Sequence, residues 1–302
     1  MSLNHKIVEC VPNFSEGRDM EKIERIVAPL RNTPSVNLVN LEADKDYNRV
    51  VVTVLGEPEA VKEAVIQAIG IAMKEIDLTS HTGQHARMGA TDVVPFIPIK
   101  NMTIAECVAL AKETGEQIAI RYDIPVFLYE KAASTPAREN LADVRKGQFE
   151  GMAEKLQLPE WGPDYGKRVP HPTAGVTGVA ARMPLIAYNI DLDTADIEIA
   201  NKIAKCIRHS NGGFRYIKAG GVFLAEKGTC QVTMNITDYT KTSMYRVFET
   251  VKMEALRYGV RVTGSEIVGL VPMDALVDSA AYYLGLRDFN SMKIIENNLH
   301  EA

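Results

Sequence analysis

Short apolar runs alternate with amphipathic stretches along most of the chain. Lys6 to Pro12 reads as a strand stopped by proline, followed by the polar turn Asn13-Phe14-Ser15-Glu16-Gly17. Ile23, Ile26, Val27 and Leu30 recur at helical spacing behind Asp19, a residue type that caps helix N-termini. Val36–Glu42 alternates as a strand does, and Val50–Leu55 is a second strand broken by Gly56 and Pro58. Val61, Ala64, Val65, Ala68, Ile69 and Ala72 mark the next helix. Val93 to Ile99 is apolar but too proline-rich for a helix interior, so it reads as extended. Thr103-Ile-Ala-Glu106 is a capping box opening a helix to about Ile120, and Ile124–Tyr129 is a strand. Residues 131–158 are charged and helical in pieces, with Pro136 suited to a first helical position.

A similar order follows. Leu185–Ile190 is a strand, and Thr194–Ile207 a helix with Ile197, Ile199, Ala200, Ile203 and Ala204 inward. Phe214–Lys218 and Gly228–Ile236 are strands. Thr240–Arg257 is a helix, Val260–Val262 a strand, and Met273–Leu284 an apolar helix. Each half runs strand, helix, strand, strand, helix, strand, and its second hairpin strand leads into the longest helix of that half. This is the split βαββαβ pattern, so the expected fold is α+β with two tandem ferredoxin-like subdomains. One face of each sheet goes under helices. The other faces are expected to bound a ligand cleft between the subdomains.

Pro159, Pro163, Pro170, Pro172 and Pro184, with Gly162, Gly166, Gly175 and Gly178, interrupt the pattern between the halves. Long irregular connections are usually linkers or binding loops. We read this one as both, giving subdomains 1–180 and 181–302.

The composition is that of an ordinary globular protein, 46% hydrophobic and 24% charged over 302 residues. A net charge of -5 argues against a nucleic-acid or membrane-surface protein, both of which want a basic face. Cys10, Cys107, Cys206 and Cys230 are far apart, with no CxxC, and read as buried thiols in a reducing compartment. The N-terminus shows no apolar signal core and no run is long enough to span a membrane, so a cytoplasmic protein is expected, with polar, frayed residues at the other end.

Chemistry concentrates in His81-Thr-Gly-Gln-His85-Ala-Arg87-Met-Gly-Ala-Thr-Asp92. Loops of this kind often carry function, and imidazole titrates near neutrality, so one histidine here suits general acid–base work. The H-x-x-x-H spacing would suit zinc on a helix. Thr82 stands where a metalloprotease has Glu, and Gly83 disfavours the helix, so no metal is expected. Arg49, Arg87, Lys167 and Arg168 are candidates for pairing with carboxylates. Asn13, Ser15 and Asn48 could donate neutral hydrogen bonds, or simply form turns and caps.

Val8-Glu-Cys-Val-Pro-Asn-Phe-Ser-Glu-Gly17, Asn48-Arg49, His85-Ala-Arg-Met-Gly-Ala-Thr-Asp92, Val94-Pro-Phe-Ile-Pro98 and Val268-Gly-Leu-Val-Pro272 together resemble the glutamate formimidoyltransferase family, over about residues 7–288. The resemblance implies transfer of a formimino group from N-formimino-L-glutamate to tetrahydrofolate in histidine breakdown, with tetrahydrofolate as co-substrate and no metal. It also implies a homodimer, and a folate channel between two subdomains. No cyclodeaminase half is expected. By motif match the catalytic histidine falls on His85, which leaves His81 as a solvated loop residue. The family's partner acid falls on Glu42, where the family has aspartate, and Asp44 is a nearby substitute. The folate-binding loop falls on Gly166, Lys167, Arg168, Val169, Pro170, His171, Pro172, Thr173, Ala174 and Gly175. Two alternatives stay open: transfer of a formyl group between glutamate and 5-formyl-tetrahydrofolate, and a folate-binding protein without catalysis.

Overall fold

A computed structural model describes residues 5–298. Residues 1–4 and 299–302, which carry part of the expectations for the two ends, lie outside the described residues. The chain forms two compact units, one up to Arg182 and one from Met183. Each has its own sheet, so the protein is mixed α+β.

Unit 1 contains β1 (Ile7–Cys10), β2 (Asn13–Phe14), α1 (Met20–Asn32), β3 (Val36–Asp44), β4 (Arg49–Gly56), α2 (Pro58–Glu75), β5 (Thr91–Lys100), α3 (Ile104–Tyr122), β6 (Val126–Glu130), α4 (Leu141–Arg145), α5 (Gln148–Lys155) and β7 (Thr177–Ala181). Local chemistry sets the helix starts. Asp19 accepts the amides of Glu21 and Lys22, and Thr103 and Glu106 form a reciprocal capping box. In the sheet, β1 and β2 both lie between β4 and β5, and β3 pairs with the far side of β4; all these pairs are antiparallel. β7 then pairs parallel with β5 on one side and β6 on the other.

Two expectations change here. The Pro/Gly-rich connection ends in a strand, β7, rather than running irregular to Pro184. Its five residues are all buried, as in a parallel strand covered on both faces, so they show no alternation. The longest helix of unit 1 is α3, at 19 residues, rather than the 18-residue α2 that follows β4.

The main core of unit 1 lies between the sheet and α1, α2 and α3. A second, smaller cluster joins Met88, Val93, Phe127, Tyr129 and Val176 to Val144 of α4 and Met152 of α5. These two short helices therefore pack where β5, β6 and β7 meet, against the segment that carries the histidine motif.

Unit 2 contains β8 (Ile186–Leu192), α6 (Ile197–Ile207), β9 (Ile217–Leu224), β10 (Thr229–Ile236), α7 (Met244–Leu256), β11 (Val262–Val268), α8 (Met273–Leu284) and α9 (Ile295–Asn298). Its strands lie in the order β11-β8-β10-β9, every neighbour antiparallel. Boundaries move from the expected ones. α7 starts at Met244 because Asp238 folds the preceding residues into a turn, accepting the amide and hydroxyl of Thr240. The last strand runs through Val268, beyond Val262. Its mostly exposed residues include Gly264, Ser265 and Glu266, which give no apolar signal.

Candidate active site

The histidine loop is held from both sides by backbone bonds. Gln84 and His85 donate their amides to the carbonyls of Asp46 and Tyr47, in the turn between β3 and β4. Asn48, at φ 51°, accepts the Gly17 amide with its side chain and donates to the Thr82 carbonyl. Its own carbonyl lies 3.0 Å from His81 Nε2. His81 is thus half-buried and tied to the β3–β4 turn rather than solvated, and burial lowers its pKa first, with the Asn48 contact opposing.

On the other side, Ala90 donates to Ala174, Val176 donates to Met88, and Phe149 donates to Arg87. Gly89 and Gly175 face each other as an isolated antiparallel bridge. Gly175 has φ 67°, and a Cβ there would run into the Met88 carbonyl, so both conformation and space demand glycine.

His85 is only 6% exposed and its Nε2 stands 3.3 Å from Asp92 Oδ2. The pair lacks the alignment of a good hydrogen bond, which leaves Nε2 without an aligned partner. Asp92, at the start of β5, is fully buried. Its Oδ1 accepts the Met88 amide at 2.8 Å, and its Oδ2 accepts Arg145 Nε at 2.9 Å and Nη2 at 2.5 Å. Burial pushes the Asp92 carboxyl up. The neighbouring His85, the Arg145 charge and the Met88 amide outweigh it and hold the carboxyl below its ordinary range. The buried group is therefore an ionised carboxylate facing an imidazole.

Other expected residues take up definite places. Glu42 is exposed on β3 and accepts Asn40, while Asp44 caps its turn by accepting the amides of Asp46 and Tyr47. The carboxylate against His85 is Asp92. Arg87 is buried, and its guanidinium makes a two-pronged pair with Glu150 at 3.1 and 2.7 Å, with a further bond to the His81 carbonyl. The pair lowers the Glu150 carboxyl. Arg49 keeps a buried Nε without a partner, as Arg87 does, and its guanidinium lies over the Tyr47 ring. Ser15 is buried and donates to the Gly89 carbonyl. Asn13 donates to Val11.

The Gly166–Gly175 loop divides in two. Gly166, Lys167, Arg168 and Val169 are exposed, Val169 at 64%, and Lys167 pairs with Asp123. From Pro170 on, through Pro172, the chain turns back. His171 accepts the Ala174 amide at Nδ1 and exchanges backbone bonds with Gly175, while Thr173 accepts Leu78. Only this second half docks on the histidine motif. Arg145, Gln148 and Glu150 were not singled out from sequence. The Arg145-Lys-Gly147 stretch ahead of Gln148 was the available signal, a cationic helix end before a glycine at φ 96°. Among the described residues, no group of three or more His, Cys, Asp or Glu side chains could hold a metal. Among the described residues, no helix is long and apolar enough to cross a membrane.

A mixed α+β protein with a buried imidazole against an ionised carboxylate has the makings of a proton-transfer enzyme. Residues 7–182 match the model of the formiminotransferase domain, N-terminal subdomain, and residues 187–299 match the model of the formiminotransferase domain. The chain belongs to the formiminotransferase family. It is 53% identical to a glutamate formimidoyltransferase of Streptococcus pyogenes serotype M1, over 97% of this chain and 99% of that protein. It is 41% identical to the glutamate formimidoyltransferase of Thermoplasma acidophilum, over 98% of each. The formimidoyltransferase-cyclodeaminase of Mus musculus is 41% identical over 92% of this chain, which spans 52% of that longer protein.

Proposed function

We propose that this chain is a transferase that moves the formimino group of N-formimino-L-glutamate to tetrahydrofolate, giving L-glutamate and 5-formimino-tetrahydrofolate. The observation that carries the chemistry is His85: buried, with Nε2 unaligned to any partner, and set against an ionised Asp92. When the pterin nitrogen attacks the formimino carbon, it must lose a proton, and the glutamate nitrogen must gain one before it leaves. A single imidazole serves both steps, as base and then acid. Asp92 orients the ring and sets a negative charge against the imidazolium formed in between. Holding two substrates together supplies much of the remaining acceleration.

Buried, unpartnered nitrogens on Arg49, Arg87 and His81 surround the same loop and suit polar substrate groups. Arg87 is the proposed carboxylate partner, with Glu150 holding its fork ready in the free protein. Asn13, Ser15 and Asn48 serve by shaping the loop. The Gly166–Gly175 loop, with Lys167, Arg168 and His171, is the proposed folate contact. Glu42 and Asp44 remain proposed only as outer contributors, through the β3–β4 turn that the histidine loop rests on.

The wider reading is a cytoplasmic homodimer of ferredoxin-like subdomains, 1–180 and 181–302, that share a folate cleft. Sedimentation at assay concentration reads the dimer. Amide exchange with folate bound reads the cleft, and protection confined to one subdomain would remove it. The deciding assay supplies formiminoglutamate and tetrahydrofolate and follows 5-formimino-tetrahydrofolate, with the formyl donor run in parallel. Turnover with the formyl donor alone would replace this reading.

A further inference from the structure

The buried lysine at the end of α5 connects to the histidine by a traceable path. Lys155 is only 8% exposed. Its ammonium donates to the carbonyls of Asp143 at 2.5 Å, Val144 at 2.6 Å and Lys146 at 3.2 Å, and lies 3.9 Å from the centre of the Trp161 ring. These carbonyls close the C-terminal end of α4, a helix of five residues. So short a helix is not stable by itself, and its last carbonyls have no partners within it. A cation there satisfies them and complements the helix dipole. Arg145 is the last residue of α4, and its guanidinium grips the oxygen of Asp92 that faces His85.

We propose that Lys155 is a positioning residue for the His85–Asp92 pair: by tying off α4 it fixes how Arg145 meets Asp92. The same bond closes the α4–α5 corner, and α5 carries Glu150 onto Arg87. Burial lowers the Lys155 ammonium to about 8, with Asp143 opposing and Lys146 adding to the shift, so the group still carries its proton at neutral pH. Lys155 lines a groove of about 660 Å³ in which Asp143, Lys146 and Glu154 are the other charged residues.

The kinetic test rests on the transfer activity proposed above, and a second readout is independent of it. In the full-length protein, Lys155→Met should lower kcat about tenfold and raise either KM by less than about threefold, because Arg87 feels the loosened corner only through Glu150. Loosening Arg145 takes a cation away from the imidazole and leaves the Asp92 carboxylate facing it. The acid limb of the pH–rate profile should therefore move to higher pH. The Met88 amide, bonded to Asp92, should exchange faster. In an Arg145→Met background the lysine change should add less than about twofold, because both act along one path. If Lys155→Met does not fold, Lys155→Gln, which keeps a donor, takes its place in the same comparison. A kcat within about twofold of wild type with an unmoved acid limb, or a full further loss in the Arg145→Met background, would overturn the proposal. Wild-type protein that transfers nothing would sink the function instead, and Met88 exchange would still decide the role of Lys155.

Discussion

The two units differ in their sheets, seven strands with parallel pairs in one and four antiparallel strands in the other, and they also bury different things. Among the described residues, unit 2 encloses a core mostly of Ile, Val, Ala and Met, with Tyr188, Leu192 and Cys230, and its buried polar residues are Gln231 and Thr242. Unit 1 buries Glu16, His85, Arg87, Asp92, Arg138 and Lys155. Among the described residues, every buried side-chain nitrogen or oxygen without a partner also belongs to unit 1. Burying charge is costly unless it is paired, so a fold does not accumulate such groups for stability alone. The contrast separates what a folded core needs from what chemistry needs.

The largest effect expected from that contrast is at His85. His85→Ala should lower kcat by about 10²–10⁴ with an unchanged unfolding midpoint, whereas His209→Ala, on the surface of unit 2, should leave turnover within about twofold. Turnover of the His85 variant near the wild-type rate would remove the ring from the chemistry. Next comes Asp92→Asn. It leaves Arg145 without its charged partner in a buried setting, and should cost about 3 kcal/mol in denaturant unfolding together with at least about a tenfold loss of kcat. A variant as stable as wild type would show that the pair is not holding the loop.

The third comparison sets glycine against glycine. Gly175→Ala meets the Met88 carbonyl at φ 67° and should cost about 3 kcal/mol. Gly228→Ala, at φ 65° but in open space between β9 and β10, should cost only about 1 kcal/mol and spare activity. Equal costs would mean that the close approach at residue 175 contributes nothing. The smallest effect lies on the surface. Hydrogen bonds from Lys6, and then from the amide and hydroxyl of Thr103, hold the Glu106 carboxyl at about 2 against an ordinary 4.5. A lowered carboxyl adds stability above its unfolded value and loses it as pH falls through the folded one. Glu106→Gln should therefore flatten the acid fall in melting temperature between pH 4.5 and about 2, and an unchanged slope there would rule the contribution out.

Much of this was legible in the sequence, for particular reasons. The helices with a clear apolar face, α1, α2, α3 and α6, lie close to their expected places, and both expected caps, Asp19 and the Thr103–Glu106 box, are present. Polar and glycine residues that break any apolar face marked the loop, and the match to the family motif chose His85 over His81. Its carboxylate was harder. Asp92 lies seven residues on in the same motif, but only the turn at Met88, whose amide it accepts, brings it back to the imidazole. Arg145 and Lys155 were beyond reach, because α4 is too short to show a period and its role depends on bonds to carbonyls, which no side-chain pattern records. β7 stayed hidden because a strand buried on both faces carries no alternation.

The Gly89–Gly175 bridge and the bond from the Thr177 hydroxyl to Thr91, 86 residues back, set an order on how the protein is made. Contacts between distant parts of a chain form late, after the entropy of closing the intervening loop has been overcome. On a ribosome, the half of the histidine segment's support that comes from Ala174 to Thr177 cannot form until those residues have cleared the exit tunnel. A nascent chain halted before β7 will carry every residue of the histidine loop and lack the bond from Thr177 to Thr91.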